Sequence, residues 1–292
     1  MGFWKIMFGG GLSDSDEEKR NEDERKFDLL KYDGVKALQM NQTDYAVKCF
    51  RETLKVKEDL ETRDYLSQAL IRLGRFDEAL AELESMLSLT RQSPVISARM
   101  GHVAYMMEDY DRLEAIAHQA IEADAQNAHA YYMLAQASLG KESMAEAVAQ
   151  LTQSLALDDA QENVHLLRAQ TLMRMGAPAN AADDAAWLAE NAADEEDALM
   201  LLARFATMMG QNDEAENRFS QVIDQNPFNV DAYRERGRLR YERGDKQGAE
   251  EDVQKVLELC PEELDGVNGN YEAEGVEQMM KRAYTAINPF GL

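Results

Sequence analysis

Along most of the chain apolar residues recur at helical spacing, and one short pattern repeats. A small residue is followed twelve positions later by an alanine or leucine, and four positions after that by another apolar residue. The small residues are Gly34, Ser67, Gly101, Ala135, Ala169, Ala203 and Gly237, and the later anchors are Ala46, Ala79, Leu113, Ala147, Ala181, Ala215 and Ala249. The anchors lie 33 residues apart once and 34 apart thereafter. Phe50, Leu83, Ala117, Leu151, Ala185, Phe219 and Val253 stand one helical turn beyond each anchor, on the same face. No window shows sustained alternation of period two, so the predicted elements are helices.

Turn chemistry divides each period into two helices. In Leu73-Gly74-Arg75-Phe76-Asp77-Glu78-Ala79, Met209-Gly210-Gln211-Asn212-Asp213 and Arg243-Gly244-Asp245, glycine supplies a left-handed helix end and Asp or Asn starts the next helix. So short a connection makes the two helices antiparallel. Small residues at fixed places on both let the backbones approach, and larger neighbours fill the space between successive pairs, which predicts a helical solenoid.

These residues resemble the tetratricopeptide repeat. The clearest copy is Asn229 to Pro261, with Ala232-Tyr233, Gly237, Gly244-Asp245, Gly248-Ala249 and the terminal Pro261. The resemblance covers roughly residues 27–263 and implies an all-α, right-handed α-α superhelix of about seven helix pairs. Departures bear on boundaries: the terminal proline occurs only as Pro227 and Pro261, Leu113 replaces the anchor alanine, and Arg63 stands where a large apolar residue is usual.

Outside the array, residues 1–26 comprise an aromatic segment, Phe3-Trp4-Lys5-Ile6-Met7-Phe8, a hinge, Gly9-Gly10-Gly11, and a charged run from Asp14 to Lys26 that reads as linker or helix extension. The aromatic segment is too short for a signal-peptide core, and Ile6 stands where myristoylation needs Ser or Thr. It is expected to dock on the protein or a partner, or to stay disordered, in preference to weak insertion at a membrane interface. Residues 264–292 are a loop and a C-terminal capping helix, in which Val276, Met279, Met280, Tyr284 and Ile287 would pack on the last repeat.

Charge narrows the partners. Of 292 residues, 31 are Lys or Arg and 55 Asp or Glu, a formal net charge of −24 that disfavours nucleic acid and anionic lipid. No stretch approaches the roughly 20 apolar residues of a spanning helix. Cys49 and Cys260 are too few and too distant for a disulfide framework, so a reducing compartment is expected, and a cytoplasmic location is expected from the absence of targeting signals.

Candidate chemistry is sparse. His102, His118, His129 and His165 belong to no metal or hydrolase motif, and the glycine run lacks the Gly-Lys-Ser/Thr of a phosphate loop. No catalytic residue, cofactor or metal site is assigned, and the chain is not expected to be an enzyme.

In the family it resembles, the first helix of each pair lines the inner face. Mapped from the anchors, that strip includes Tyr105, Tyr132, Met133, Leu166, Met173 and Met200, with Arg99, Arg174, Arg204, Arg234 and Arg238. Asp197, Asp231, Glu235 and Glu242 oppose these five arginines, so the strip escapes the overall acidity. The expected function is a non-enzymatic scaffold binding a peptide or protein segment with apolar anchors and an acidic group. The competing reading is a self-assembling or regulatory subunit that uses its convex or terminal surfaces, with the aromatic N-terminal segment as docking element or weak membrane anchor; a homo-oligomer is compatible with either. The family's clamp for acidic chaperone tails is not supported, because Lys31 matches but Val35 stands where Asn is required.

Overall fold

The structure, a computed structural model, describes residues 14–90 and 93–260. The aromatic N-terminal segment and the C-terminal capping helix expected from the sequence lie outside the described residues. Among those described there are fourteen α-helices, one 3-10 turn and no strand. The chain divides into two units, the first ending at Gly140 and the second beginning at Lys141.

The first unit contains α1 (Asp14–Gln39), α2 (Thr43–Val56), α3 (Leu60–Arg72), α4 (Phe76–Thr90), α5 (Pro94–Met106), α6 (Tyr110–Ala123) and α7 (Ala128–Gly140). The second contains α8 (Met144–Leu157), α9 (Glu162–Arg174), α10 (Ala182–Asn191), α11 (Glu196–Met208), α12 (Asn212–Gln225), α13 (Val230–Glu242) and α14 (Lys246–Leu259). Within each unit every helix packs on the next, and first helices of successive pairs also meet, α1 with α3, α5 with α7 and α9 with α11. Each unit is an all-α helical solenoid. The charged run from Asp14 is the opening half of α1.

All seven anchors, Ala46 to Ala249, are fully buried, and six of the seven apolar residues one turn later are buried with them. Phe50 and Phe219 are the largest fully buried side chains, and small residues let them in. A Cβ at Gly34 would stand 2.5 Å from Cε1 of Phe50. Leu113, the departure from alanine, is accommodated at zero exposure beside Met100 and Ile116. Arg63, the other departure, spans from Glu58 to Glu82 on α4, so an ion-paired guanidinium stem takes the place of an apolar side chain.

The fifth pair is irregular. Pro178 opens a 3-10 turn, Pro178–Ala181, and α10 is shortened to 10 residues. Proline fits an opening turn because its missing N–H would be unsatisfied there anyway.

The turn inside every pair contains one residue with positive φ: Asn41, Gly74, Glu108, Glu142, Gly176, Gly210 and Gly244. They repeat with the period of the anchors. Four are glycine, which adopts this conformation without steric cost, whereas Glu108 and Glu142 hold it at φ 55° and 63°. Glu142→Gly is therefore expected to raise stability by about 1 kcal/mol, seen as a higher urea midpoint; an unchanged or lower midpoint would remove the strain assigned to this turn. Asp59, Asp109, Asn229 and Asp245 cap their helices by accepting from backbone N–H groups three residues on, at 2.8–3.0 Å.

Among the described residues no helix is long and apolar enough to cross a membrane.

Candidate functional site

The first-helix face of each unit is the candidate surface. In the first unit, α5 and α7 touch, and α5 leaves Tyr105 and Met106 each 45% exposed. Tyr105 meets Tyr110 edge to face at 6.5 Å. On α7, the His129 ring lies 5.7 Å from half-buried Tyr132, whose hydroxyl accepts from Gln136 Nε2 at 3.2 Å. Burial pushes the His129 imidazole below its ordinary pKa, so at neutral pH it joins the tyrosines as an uncharged ring. Arg99 is ion-paired with Asp64 on α3.

In the second unit the basic residues are mostly engaged. Arg204 on α11 binds Glu235 on α13 at 2.6 Å, Arg234 binds Asp231 at 2.6 Å, and Arg238 binds Glu242 at 3.0 Å. Exposed Arg174 has no ion pair among the described residues. Leu166 is half-buried against the core.

Three of the sequence-assigned groove residues are core residues instead. Met133 and Met173 are 1% and 2% exposed and Met200 is 7% exposed. The reason is rotation: one residue turns a helix by about 100°, so Met133, next to Tyr132, points inward to fill the space above Gly101. Lys31, the one match to the chaperone-tail clamp, is held by Asp59 at 2.8 Å and Glu61 at 2.6 Å.

Glu235 carries the clearest electrostatic perturbation on this face. Burial raises its carboxyl pKa, against the hydrogen bond and charge of Arg204, which lower it. A folded pKa above the unfolded one means that the native state takes up the proton first as pH falls, so this group adds stability on acidification and loses it as pH rises through the folded value. In melts from neutral pH into the carboxylate range, the wild type should gain on Glu235→Gln as pH falls; parallel curves would show that the group does not titrate this way.

Sequence reasoning missed a pair of buried polar bridges in the second unit. Arg168 on α9 grips Asp184 on α10 through Nε and Nη2 at 2.9 and 2.7 Å and donates from Nη1 to Thr152 Oγ1 on α8 at 3.2 Å. Two periods later, Arg236 on α13 grips Asp252 on α14 at 3.1 and 2.6 Å and reaches Ser220 Oγ on α12 at 2.9 Å. Asp184 and Asp252 are 1% and 2% exposed. Each has a further partner: His165 Nδ1 lies 2.7 Å from Asp184, and Arg240 donates to Asp252 at 3.0 Å. His165 also stacks on Trp187, ring centres 4.2 Å apart, in place of a packed aromatic. Where Arg168 and Arg236 stand, other periods have buried Leu66, Met100, Leu134 and Leu202. The signal was present as an Arg and an Asp sixteen residues apart, recurring after two periods.

Tetratricopeptide-repeat family models match residues 128–161 and 209–263, the latter spanning the α13–α14 pair with its Arg236 bridge. The chain is a tetratricopeptide-repeat protein. Solved repeat proteins share the fold. One from Parabacteroides merdae is 13% identical, covering 89% of this chain and 98% of its own, with a TM-score of 0.60. PilW, a widely conserved type IV pilus biogenesis factor, is 18% identical over 72% of this chain and 98% of its own, with a TM-score of 0.62. YrrB, a tetratricopeptide-repeat protein with an unusual peptide-binding site, is 18% identical over 63% of this chain and 95% of its own, with a TM-score of 0.54. No curated protein sequence matches this repeat protein.

Proposed function

We propose that this repeat protein is a non-enzymatic scaffold that takes a peptide or protein segment on the first-helix face of its first unit, with Tyr105, Met106 and Tyr132 receiving the apolar anchors. The observation that carries the reading is the exposure of Tyr105 and Met106 on α5, a helix that packs against α7 with its Tyr132 and His129 rings. Tyrosine offers a large, amphipathic contact at low entropic cost, the character of interface hot spots. The family and its neighbours, one with a peptide-binding site and one a pilus biogenesis factor, support an interaction scaffold in general.

The pairing of Arg99, Arg204, Arg234 and Arg238 changes the acidic half of the expectation. An acidic group on the ligand has to displace a carboxylate already bound to these residues, whereas Arg174 in the second unit presents an exposed guanidinium. Recognition is therefore dominated by apolar anchors. Free thiols at Cys49 and Cys260 fit the same reading in a reducing cytoplasm.

Peptides selected from a displayed random library against the whole protein test this directly. They should carry aromatic or aliphatic anchors and lose roughly 30-fold or more in affinity to Tyr105→Ala/Tyr132→Ala, a hot-spot-sized effect of about 2 kcal/mol, while helicity stays unchanged. Equal affinity for the double variant would move the site off this face.

A further inference from the structure

The second unit carries a groove between two second helices, α10 and α12. Two adjoining stretches of about 740 and 470 Å³ share Ala189, Glu214 and Arg218, and α11 contributes Leu202, Phe205 and Ala206 to an apolar base. The α10 wall is smaller than the repeat pattern provides. Eight positions beyond the anchor, the other periods place a large apolar side chain, Leu54, Leu87, Ile121, Leu155, Ile223 and Leu257, whereas the fifth has half-buried Ala189. Five positions beyond the anchor the others are polar, as Arg51, Glu84 and Gln254 are, whereas the fifth has exposed Ala186. Alanine at both places leaves a leucine-sized space beside the apolar base.

We propose that this groove seats a basic amphipathic helix of a partner protein, with a leucine-sized side chain in the space beside Ala189 and Lys or Arg beside Asp194 and Asp224. Charge selects the basic partner. The carboxylates lining the groove are those of Asp194, Asp213, Glu214 and Asp224, against the cation of Arg218, which Glu214 already binds at 2.6 Å. Arg243 holds Asp213 at 2.5 Å, but exposed Asp194 and Asp224 have no ion pair among the described residues. Backbone chemistry selects a helix. Both walls are helices whose N–H and C=O groups are paired internally, so they offer an extended strand no ladder, whereas a helix brings its backbone already satisfied. Length fits as well: Asp213 to Asp224 spans about 16 Å of α12, or about three turns of a partner helix. None of these residues belongs to the Tyr105–Tyr132 site.

The probe is a synthetic amphipathic helix of leucine and lysine, about 14 residues long, titrated into the full chain at physiological salt beside a scrambled peptide of the same composition. The helix is expected to bind and the scrambled peptide to bind far more weakly, because only the first presents an apolar face. Ala189→Leu, which restores the residue type of the other periods, should lower affinity about tenfold, and circular dichroism with the urea midpoint checks its fold. Asp194→Asn/Asp224→Asn, at exposed positions, should lower affinity about fivefold and flatten its salt dependence. Tyr105→Ala/Tyr132→Ala should leave it unchanged, which separates this groove from the first-helix face. Absence of binding by the helix, equal binding by the scrambled peptide, or full affinity in Ala189→Leu would each overturn the proposal. Loss of binding in Tyr105→Ala/Tyr132→Ala with none in Asp194→Asn/Asp224→Asn would overturn it too, by placing the peptide on the first unit.

Discussion

Ala215→Arg is expected to destabilise the second unit by on the order of 3 kcal/mol or more, because it overpacks a filled space and buries an unpaired charge. Ala215 is fully buried on α12 in one cluster with Ala203 on α11 and with Phe219 one turn on. The two backbones are close because both positions are small, so a longer side chain has to part the helices or leave the core, and either breaks the contact that joins the pair. A surface control separates this from any general effect of added charge: Ala125→Arg, at an exposed site, should stay within about 0.5 kcal/mol of wild type. Urea unfolding of both variants measures the difference. Wild-type stability for Ala215→Arg would mean that the twelve-residue pattern does not mark the close contact between helices.

The fold was readable because close packing of two helices imposes a rule that is local in sequence. Small residues must recur where backbones meet, so Ala203 and Ala215 could be placed before any coordinates, and Gly74, Gly210 and Gly244 could be placed at turns. The same turn made from Asn41, Glu108 or Glu142 was not readable, because only the periodicity, and not the residue type, reveals the positive φ there.

Side-chain direction on the first helices was harder to read. Tyr132 and Met133 are neighbours in sequence but lie about 100° apart around the helix, so a register error of one residue exchanges groove for core. Charge pairing was less legible again: Arg204 meets Glu235 across 31 residues and Arg99 meets Asp64 across 35, distances fixed by the stacking of successive pairs. Both arginines and Glu235 stand on first helices, but whether they serve a ligand or one another is decided by that stacking. A sequence at this level therefore specifies which residues share a face before it specifies which of them remain available on it.

The Arg168 bridge turns the same stacking into a testable dependence. Asp184→Ala should destabilise the second unit by roughly 3–5 kcal/mol, the usual cost of removing one partner of a buried ion pair. The loss exceeds that of the contacts themselves. Arg168 loses both carboxylate oxygens and His165 loses the carboxylate on its Nδ1, at a position only 1% exposed. Arg168→Leu in addition should recover most of the stability, since periods with leucine at that position, such as those of Leu134 and Leu202, pack it without any charge. Amide exchange localises the effect: α9 and α10 should lose protection in Asp184→Ala and regain it in the double variant. If the double variant is no more stable than the single one, the destabilisation does not come from the stranded guanidinium, and the bridge contributes through its own hydrogen bonds among α8, α9 and α10.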